Sequence, residues 1–453
     1  MHTDRSRVAK SGLNPHDARM NASDRALPPL LTLALLVSGP PVAQAQTTAS
    51  ALEVDLASWW SATGQEVRSE AAAQIVCSGA PFQSVYDALA AGRSYGSDVP
   101  GGTLERSRTN RDGFLHRYML RVPDGYDPSR SYPVRFYLHG GISRSDPGAG
   151  GGWARNLDRF ADDGSFLVAP LSWSESPWWQ ARQVENLHGV LDELKRVYNI
   201  DENRVHVMGV SDGGTGVYFL AFRDSTPWSS FLPFIGSPEV LMNPAVRADG
   251  ELHVGNLKNR PLFIVNGEQD RFYPVSSVRP WLSIFNAANV TYEFRPQPGG
   301  HDTSWWPSEA ENIERFVAEH VRDPHPESLV WGTESADLYP RVHWITIDEV
   351  GEIRGDMGRV TLGAWAASLG SGMVWATRSD NTVNVLAYRV RSFRVLVSPD
   401  AFDLTRPIRI EVNGSVEFEG VVTPNVETLI EWAGRDLDRT MLYAAEVMIE
   451  PAR

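Results

Sequence analysis

A serine between glycines opens the case for chemistry: "VMGVSDGGTG", Val207 to Gly216, sets Ser211 after an apolar run and before a stretch that can be helical. A serine hydroxyl is a poor nucleophile unless a base takes its proton. Two residues further along the chain have the right types. Asp270 ends the apolar run "PLFIVNGEQD", and His301 follows "PQPGG". In such a set the imidazole removes the serine proton and returns it to a leaving group, while the carboxylate fixes the ring's tautomer and stabilises the imidazolium. The chemistry implied is attack of Ser211 on an electrophilic carbonyl carbon. Glu268, two residues before Asp270, competes for the acid role. Asp302 reads as a solvated loop residue, His188 as an exposed residue of a charged helix, and His206 as a packed core histidine.

A tetrahedral oxyanion needs hydrogen-bond donors, each typically worth about 3 kcal/mol in the transition state. The amide of Asp212, next after the serine, is one candidate. "YLHGG" supplies a glycine-rich turn after another apolar run, and an amide at Gly140 or Gly141 is the second, with Gly141 favoured. Trp173, Trp178 and Trp179 follow "SFLVAPLS", and Trp305 and Trp306 follow His301. Two such clusters near one face are expected to form an aromatic wall for an apolar or ring-bearing substrate.

These residues need a scaffold that brings them to one edge. "SFLVAPLSW", "RVHVMGV", "FLPFIGSP", "PLFIVNGEQD" and "VTYEFRPQPGG" read as short apolar strands. Helical stretches such as "VENLHGVLDELKRVYNI" and "SEAENIERFVAEHV" separate several of them. Continuous apolar strands alternating with helices predict a mostly parallel sheet with helices on both faces. Ser211 then sits in a strand-to-helix turn, with Gly209 and Gly213 where side chains would collide. The last of these helices is expected to open at Ser308 as N-cap and to end near Arg322. Beyond it, "RVHWITIDEV", "MVWATRSDNTVNVLAYRV" and "IRIEVNGSVEFEG" alternate, and Asn413-Gly414 reads as a two-residue hairpin turn. This predicts a C-terminal, mostly antiparallel β domain over 325–453, after a catalytic domain over 110–322. Residues 46–109 are alanine-rich with helical periodicity and read as an extension packed on the catalytic domain.

Residues 1–45 read as a signal peptide. Leu27 to Val37 is a short apolar stretch, and Ala43-Gln44-Ala45 fits a small-residue cleavage pattern. The expected location is therefore exported, periplasmic or extracellular. That run is too short for a membrane span, and no other stretch is long and apolar enough. The chain of 453 residues carries a formal charge of −14 and lacks a basic stripe, which argues against a nucleic-acid partner. The single cysteine, Cys77, excludes an intrachain disulfide and reads as a buried, inert thiol. No HExxH, paired-cysteine or EF-hand spacing occurs, and "PGAGGGW" lacks the context of a dinucleotide-binding turn. No metal or other cofactor is expected.

Taken together, "VPDGYDPSRSYPVRFYLHGG", "GVSDGG", "NGEQD" and "GGHD" resemble the secreted α/β-hydrolases of the polyhydroxybutyrate depolymerase, feruloyl esterase and dienelactone-hydrolase-like group, over about residues 110 to 322. The resemblance implies an α/β-hydrolase fold with Ser211 as nucleophile, Asp270 as acid and His301 as base. Dienelactone hydrolases use a cysteine where this chain has Ser211. The implied activity is hydrolysis of carboxylic esters, small or polymeric, through an acyl-enzyme. Prolyl-oligopeptidase-like peptidases share the fold and triad but carry a propeller. Only about 60 residues stand between the expected leader and the first catalytic strand, too few for several four-stranded blades. A non-catalytic binding protein on the same fold would be expected to lack a triad member, and none is missing.

Overall fold

The computed structural model describes residues 42–62, 65–154, 157–162, 164–351 and 371–451. Its centre is an eight-stranded sheet: β1 (Thr103–Thr109), β2 (Leu115–Arg121), β3 (Tyr132–Leu138), β4 (Phe166–Pro170), β5 (Ile200–Val210), β6 (Ser230–Phe234), β7 (Leu262–Gly267) and β8 (Tyr292–Gln297). The spatial order is β1-β2-β4-β3-β5-β6-β7-β8. The pairs from β4 through β8 are parallel, and β2 runs antiparallel to both β1 and β4. Strands β4, β6 and β7 are buried at every residue, which is why they read as unbroken apolar runs.

Among the described residues three helices precede the sheet: α1 (Val42–Ser61), α2 (Gln65–Cys77) and α3 (Phe82–Ala91). The later helices are α4 (Ala181–Val197), α5 (Asp212–Arg223), α6 (Val275–Ala287) and α7 (Trp306–Glu319). Helix α7 opens two residues before the expected Ser308, with Pro307 in its first turn, where the missing N–H costs nothing. The Ser308 hydroxyl donates to Trp305 O instead of capping.

Among the described residues the C-terminal region holds two further sheets and α8 (Val426–Asp436). One sheet comprises β9 (Ser328–Thr333), β12 (Gly372–Ser379), β13 (Thr382–Tyr388), β15 (Ile408–Val412) and β16 (Ser415–Gly420). The other comprises β10 (Arg341–Val342), β11 (Ile345–Val350), β14 (Val390–Val397) and β17 (Ala445–Ile449). All pairs are antiparallel except β13–β15. Asn413 and Gly414 both have positive φ, 52° and 85°, as a primed hairpin turn requires.

Three expectations need correction. The boundary at 109/110 divides β1 from β2, which pair along their whole length. β1, "TLERSRT", is an edge strand with no buried residue, so it lacks the alternation that would reveal it. The N-terminal helices pack chiefly on the C-terminal region: Trp59, Ile75, Val85 and Leu89 share a core cluster with Leu429, Ile430, Ala433 and Leu437. Cys77 is exposed. In α2 it is Ala71 and Ile75, four apart on one face, that are buried, and Cys77 points elsewhere. Residues 1–41 of the expected leader lie outside the described residues. Among the described residues no helix is long and apolar enough to cross a membrane.

Candidate active site

Strand β5 ends at Val210 and α5 begins at Asp212, so Ser211 alone makes the turn between them. Its backbone adopts φ 59° and ψ −120°, a conformation L-residues seldom occupy and one that persists only where the surroundings impose it. Those surroundings are tight. A Cβ on Gly209 would lie 2.3 Å from Gly213 O, and one on Gly213 would lie 1.9 Å from Leu138 O. The Ser211 amide donates to Phe234 O at 3.0 Å, and the Ser211 carbonyl accepts from Thr215 N. Strand, elbow and helix are thus locked, and the hydroxyl is left at the C-terminal edge of the sheet.

The loops after β7 and β8 bring the other two groups to it. His301 Nε2 lies 2.8 Å from Ser211 Oγ, and His301 Nδ1 lies 2.8 Å from Asp270 Oδ2. The consistent tautomer has Nδ1–H donating to the carboxylate and Nε2 accepting from the serine hydroxyl. The Asp270 side chain is wholly buried, whereas the His301 side chain is 19% exposed. Asp270 Oδ1 accepts from the amides of Phe272 and Tyr273 at 2.8 and 3.0 Å, which fixes the carboxylate for the imidazole. Glu268, the rival acid, is exposed. Asp302 is exposed and accepts from Ser304 N. His206 is fully buried, its Nδ1 2.8 Å from Ser230 Oγ, and burial lowers its pKa to about 3. His188 is half-exposed and pairs with Asp224 at 2.7 Å.

The turn after β3 differs from expectation in one respect. Gly140 lies against the nucleophile: a Cβ there would be 2.8 Å from Ser211 Cβ. The Gly141 amide, the favoured oxyanion donor, instead donates to Asp212 Oδ2 at 2.9 Å. Among the described residues the amides of Gly140 and Asp212 have no hydrogen-bond partner, the latter because it opens a helix. His139, which sequence reasoning left without a role, braces the turn. Its Nδ1 lies 2.9 Å from Gly140 O and its Nε2 accepts from Ser172 N at 3.1 Å. Burial lowers its pKa, which favours the neutral ring this pattern requires.

The tryptophan wall is absent. Trp173, Trp178, Trp179, Trp305 and Trp306 are all buried, at 8% exposure or less. Trp173 stacks on Phe114, Trp179 Nε1 donates to Val246 O, and Trp305 and Trp306 pack on Phe234. Trp178 Nε1 donates to His139 O at 2.9 Å, so this indole supports the glycine turn from beneath. Large indoles near strand ends found satisfied partners inside the fold rather than a solvent-facing edge. The aromatic surface at the site is Phe272, 55% exposed, its ring 4.8 Å from that of His301 at 76°. Arg271 lies over the Phe272 ring at 4.6 Å, and Tyr273 also contacts His301. Burial, with Asp212 and Asp270 nearby, pushes the Tyr273 phenol up to about 12. The sequence signal was the string "DRFYP" directly after the candidate acid. Among the described residues no group of three or more His, Cys, Asp or Glu side chains is placed to hold a metal ion.

No protein-family model matches the chain. It is 25% identical over 142 residues to dipeptidyl-peptidase 5 of Porphyromonas gingivalis, a stretch that is 28% of this chain and 20% of that protein. The match therefore spans about a fifth of that curated relative's length. Among solved structures, a thermostable esterase matches at 21% identity and TM-score 0.39, over 49% of this chain and 63% of that one. Esterase 2 of Thermogutta terrifontis matches at 14% identity and TM-score 0.39, over 48% of this chain and 94% of that one. A putative dipeptidyl aminopeptidase IV from Bacteroides ovatus matches at 17% identity and TM-score 0.41, over 48% and 36%. These overlaps are partial. The fold is defined by the chain's own architecture: a mostly parallel sheet, a strained serine elbow after the central strand β5, an acid after β7 and a histidine after β8. It is an α/β-hydrolase fold.

Proposed function

We propose that this chain is a serine hydrolase that cleaves carboxylic esters through an acyl-enzyme. The observation that carries the reading is the relay from Ser211 Oγ to His301 Nε2 and from His301 Nδ1 to Asp270 Oδ2, each link 2.8 Å. Ser211 attacks the ester carbonyl as His301 takes its proton. The tetrahedral intermediate collapses as His301 returns that proton to the departing alcohol, and water repeats the cycle to release the acid. Asp270, buried and fed by two backbone amides, keeps the ring in the required tautomer.

The sequence match to a dipeptidyl peptidase favours a second reading, peptide hydrolysis by the same three residues. Amines leave less readily than alcohols, so a peptidase must also hold the imidazolium close to the leaving nitrogen. A fluorophosphonate that labels Ser211, with turnover of p-nitrophenyl esters but not of matched peptide anilides, supports esterase action. Comparable kcat/KM on both substrate types would move the reading to peptidase, and labelling of another residue would remove the triad. We also propose export, on the strength of residues 27–45. N-terminal sequencing of the protein from its native cells tests this, and an intact N-terminus in the cytoplasm would refute it.

A further inference from the structure

Asp212 has a side chain whose role the triad does not use. Its Oδ2 reaches from the start of α5 to the turn after β3, accepting from Gly141 N at 2.9 Å and from Ile142 N at 3.0 Å. An ionised oxygen that receives two amides makes strong, directional bonds, and the helix N-terminus behind it favours the charge. The turn needs such a tie. Gly141 has φ 73°, and apart from its chain neighbours no residue comes within 4 Å of where its Cβ would be, so packing does not hold it from that side. His139 and Trp178 brace the residues entering the turn, whereas Asp212 braces those leaving it.

We propose that Asp212 is a positioning residue, whose carboxylate pins the Gly140–Ile142 turn to the nucleophile's own elbow. The donors left for an oxyanion are then the amides of Gly140 and Asp212, and the distance between them is set by a side chain of one of the pair. This rests on the serine hydrolase reading. A fixed negative charge beside a developing oxyanion would by itself slow the reaction. The arrangement is useful only if the geometry it enforces outweighs that repulsion, which the two amides on the carboxylate help to offset.

Asp212→Ala and Asp212→Asn separate the two effects. Alanine removes clamp and charge, whereas asparagine keeps an acceptor oxygen without the charge. With a p-nitrophenyl ester, Asp212→Ala is expected to lower kcat by about 100-fold, the scale of a misplaced reacting group, with KM unchanged. Asp212→Asn is expected to recover most of that loss. A kcat for Asp212→Ala equal to or above wild type would overturn the proposal, because the carboxylate would then be idle or a brake. A loss confined to KM, or an asparagine variant no better than alanine, would overturn it too. If melting shows that Asp212→Ala does not fold, Asp212→Ser takes its place, because a hydroxyl one bond shorter cannot reach both the Gly141 and Ile142 amides: a many-fold lower kcat at unchanged KM supports the clamp, and an unchanged or raised kcat refutes it. A wild-type protein that turns over no ester and takes no fluorophosphonate would instead sink the hydrolase reading.

Discussion

At the C-terminal edge of the eight-stranded sheet few side chains meet, and backbone holds them: the Ser211 elbow, the two amides on Asp270 and the glycine turn beside them. The junction between that sheet and the C-terminal sheets is built from charge. Arg322 pairs with Asp438, both about 1% exposed. The Arg223 side chain is fully buried and pairs with Glu334, Arg439 pairs with Glu202, and Arg260 meets His343. Trp331, Tyr339 and Trp344 lie in one core cluster with Phe219 and Trp228, so apolar packing also crosses the junction. The two regions are therefore fragile in different ways. The edge should keep its fold when the Ser211 hydroxyl is removed, yet on the proposed mechanism it should lose its activity. The junction contributes no member of the triad, yet each of its buried charges is costly to leave alone.

The largest expected effect follows directly. Ser211→Ala should lower turnover by about a millionfold and abolish phosphonate labelling. Its melting temperature should stay near wild type, because the hydroxyl's partner, His301, keeps its bond to Asp270. Residual labelling at full rate would place the nucleophile elsewhere.

Next in size is the junction. A chain ending at Arg322 loses Asp438 and uncovers the apolar surface that packs against Trp331 and Trp344, so it should aggregate or lack near-UV circular dichroism. Arg322→Met in the full chain should cost about 3–5 kcal/mol by stranding Asp438, with kcat little changed in what stays folded. Burial pushes Asp438 up, but Arg322 and Lys195 outweigh it and hold its carboxyl well below the usual range. A soluble, folded 1–322 fragment with full ester turnover would show that the two regions are independent after all.

Glu334 sharpens the same contrast with pH. Burial raises its pKa, yet hydrogen bonds from His253 and Arg223 prevail and hold it at about 2, against an ordinary 4.5. A folded-state pKa below the unfolded one means that the group stabilises the protein above the unfolded value and ceases to do so as pH falls through the folded value. Wild type should therefore exceed Glu334→Gln in stability at neutral pH, and the gap should close between about pH 4.5 and about pH 2. Chemical melts at stepped pH measure it. A gap that is constant down to pH 2 would mean the carboxylate's charge contributes nothing.

These regions also differed in how far they could be read in advance. Ser211, Asp270 and His301 are legible as candidates because Ser211 and Asp270 follow apolar runs, at a glycine-flanked turn and an acidic loop, and His301 follows a glycine pair. Cys77, β1 and the five tryptophans are hard to place from sequence for a common reason: exposure depends on what the rest of the chain lays over a residue. Trp179 meets Val246 and Trp306 meets Phe160, partners far away in sequence. The junction's ion pairs join residues more than 100 apart, such as Arg322 and Asp438 or Arg223 and Glu334, and a lone arginine in a string carries no mark of its partner. The Asp212 clamp spans 71 residues to Gly141 and is hidden for the same reason.

The smallest expected effect tests which aromatic surface meets substrate. Phe272 is exposed, edge-on to the His301 ring, and carries Arg271 over its face. A substrate ring within reach of the imidazole can pack on it, a contact worth about 0.5–1.5 kcal/mol beyond simple burial. Phe272→Ala should then raise KM for an aryl-acyl ester by about twofold to tenfold and leave acetate esters nearly unaffected. Trp306→Ala is the control. Its indole is buried against Phe160 and Phe234, so its loss should lower the melting temperature while the ratio of KM for aryl and acetate esters stays put. If Trp306→Ala shifts that ratio and Phe272→Ala does not, the buried indole shapes the acyl pocket and the exposed ring is only surface.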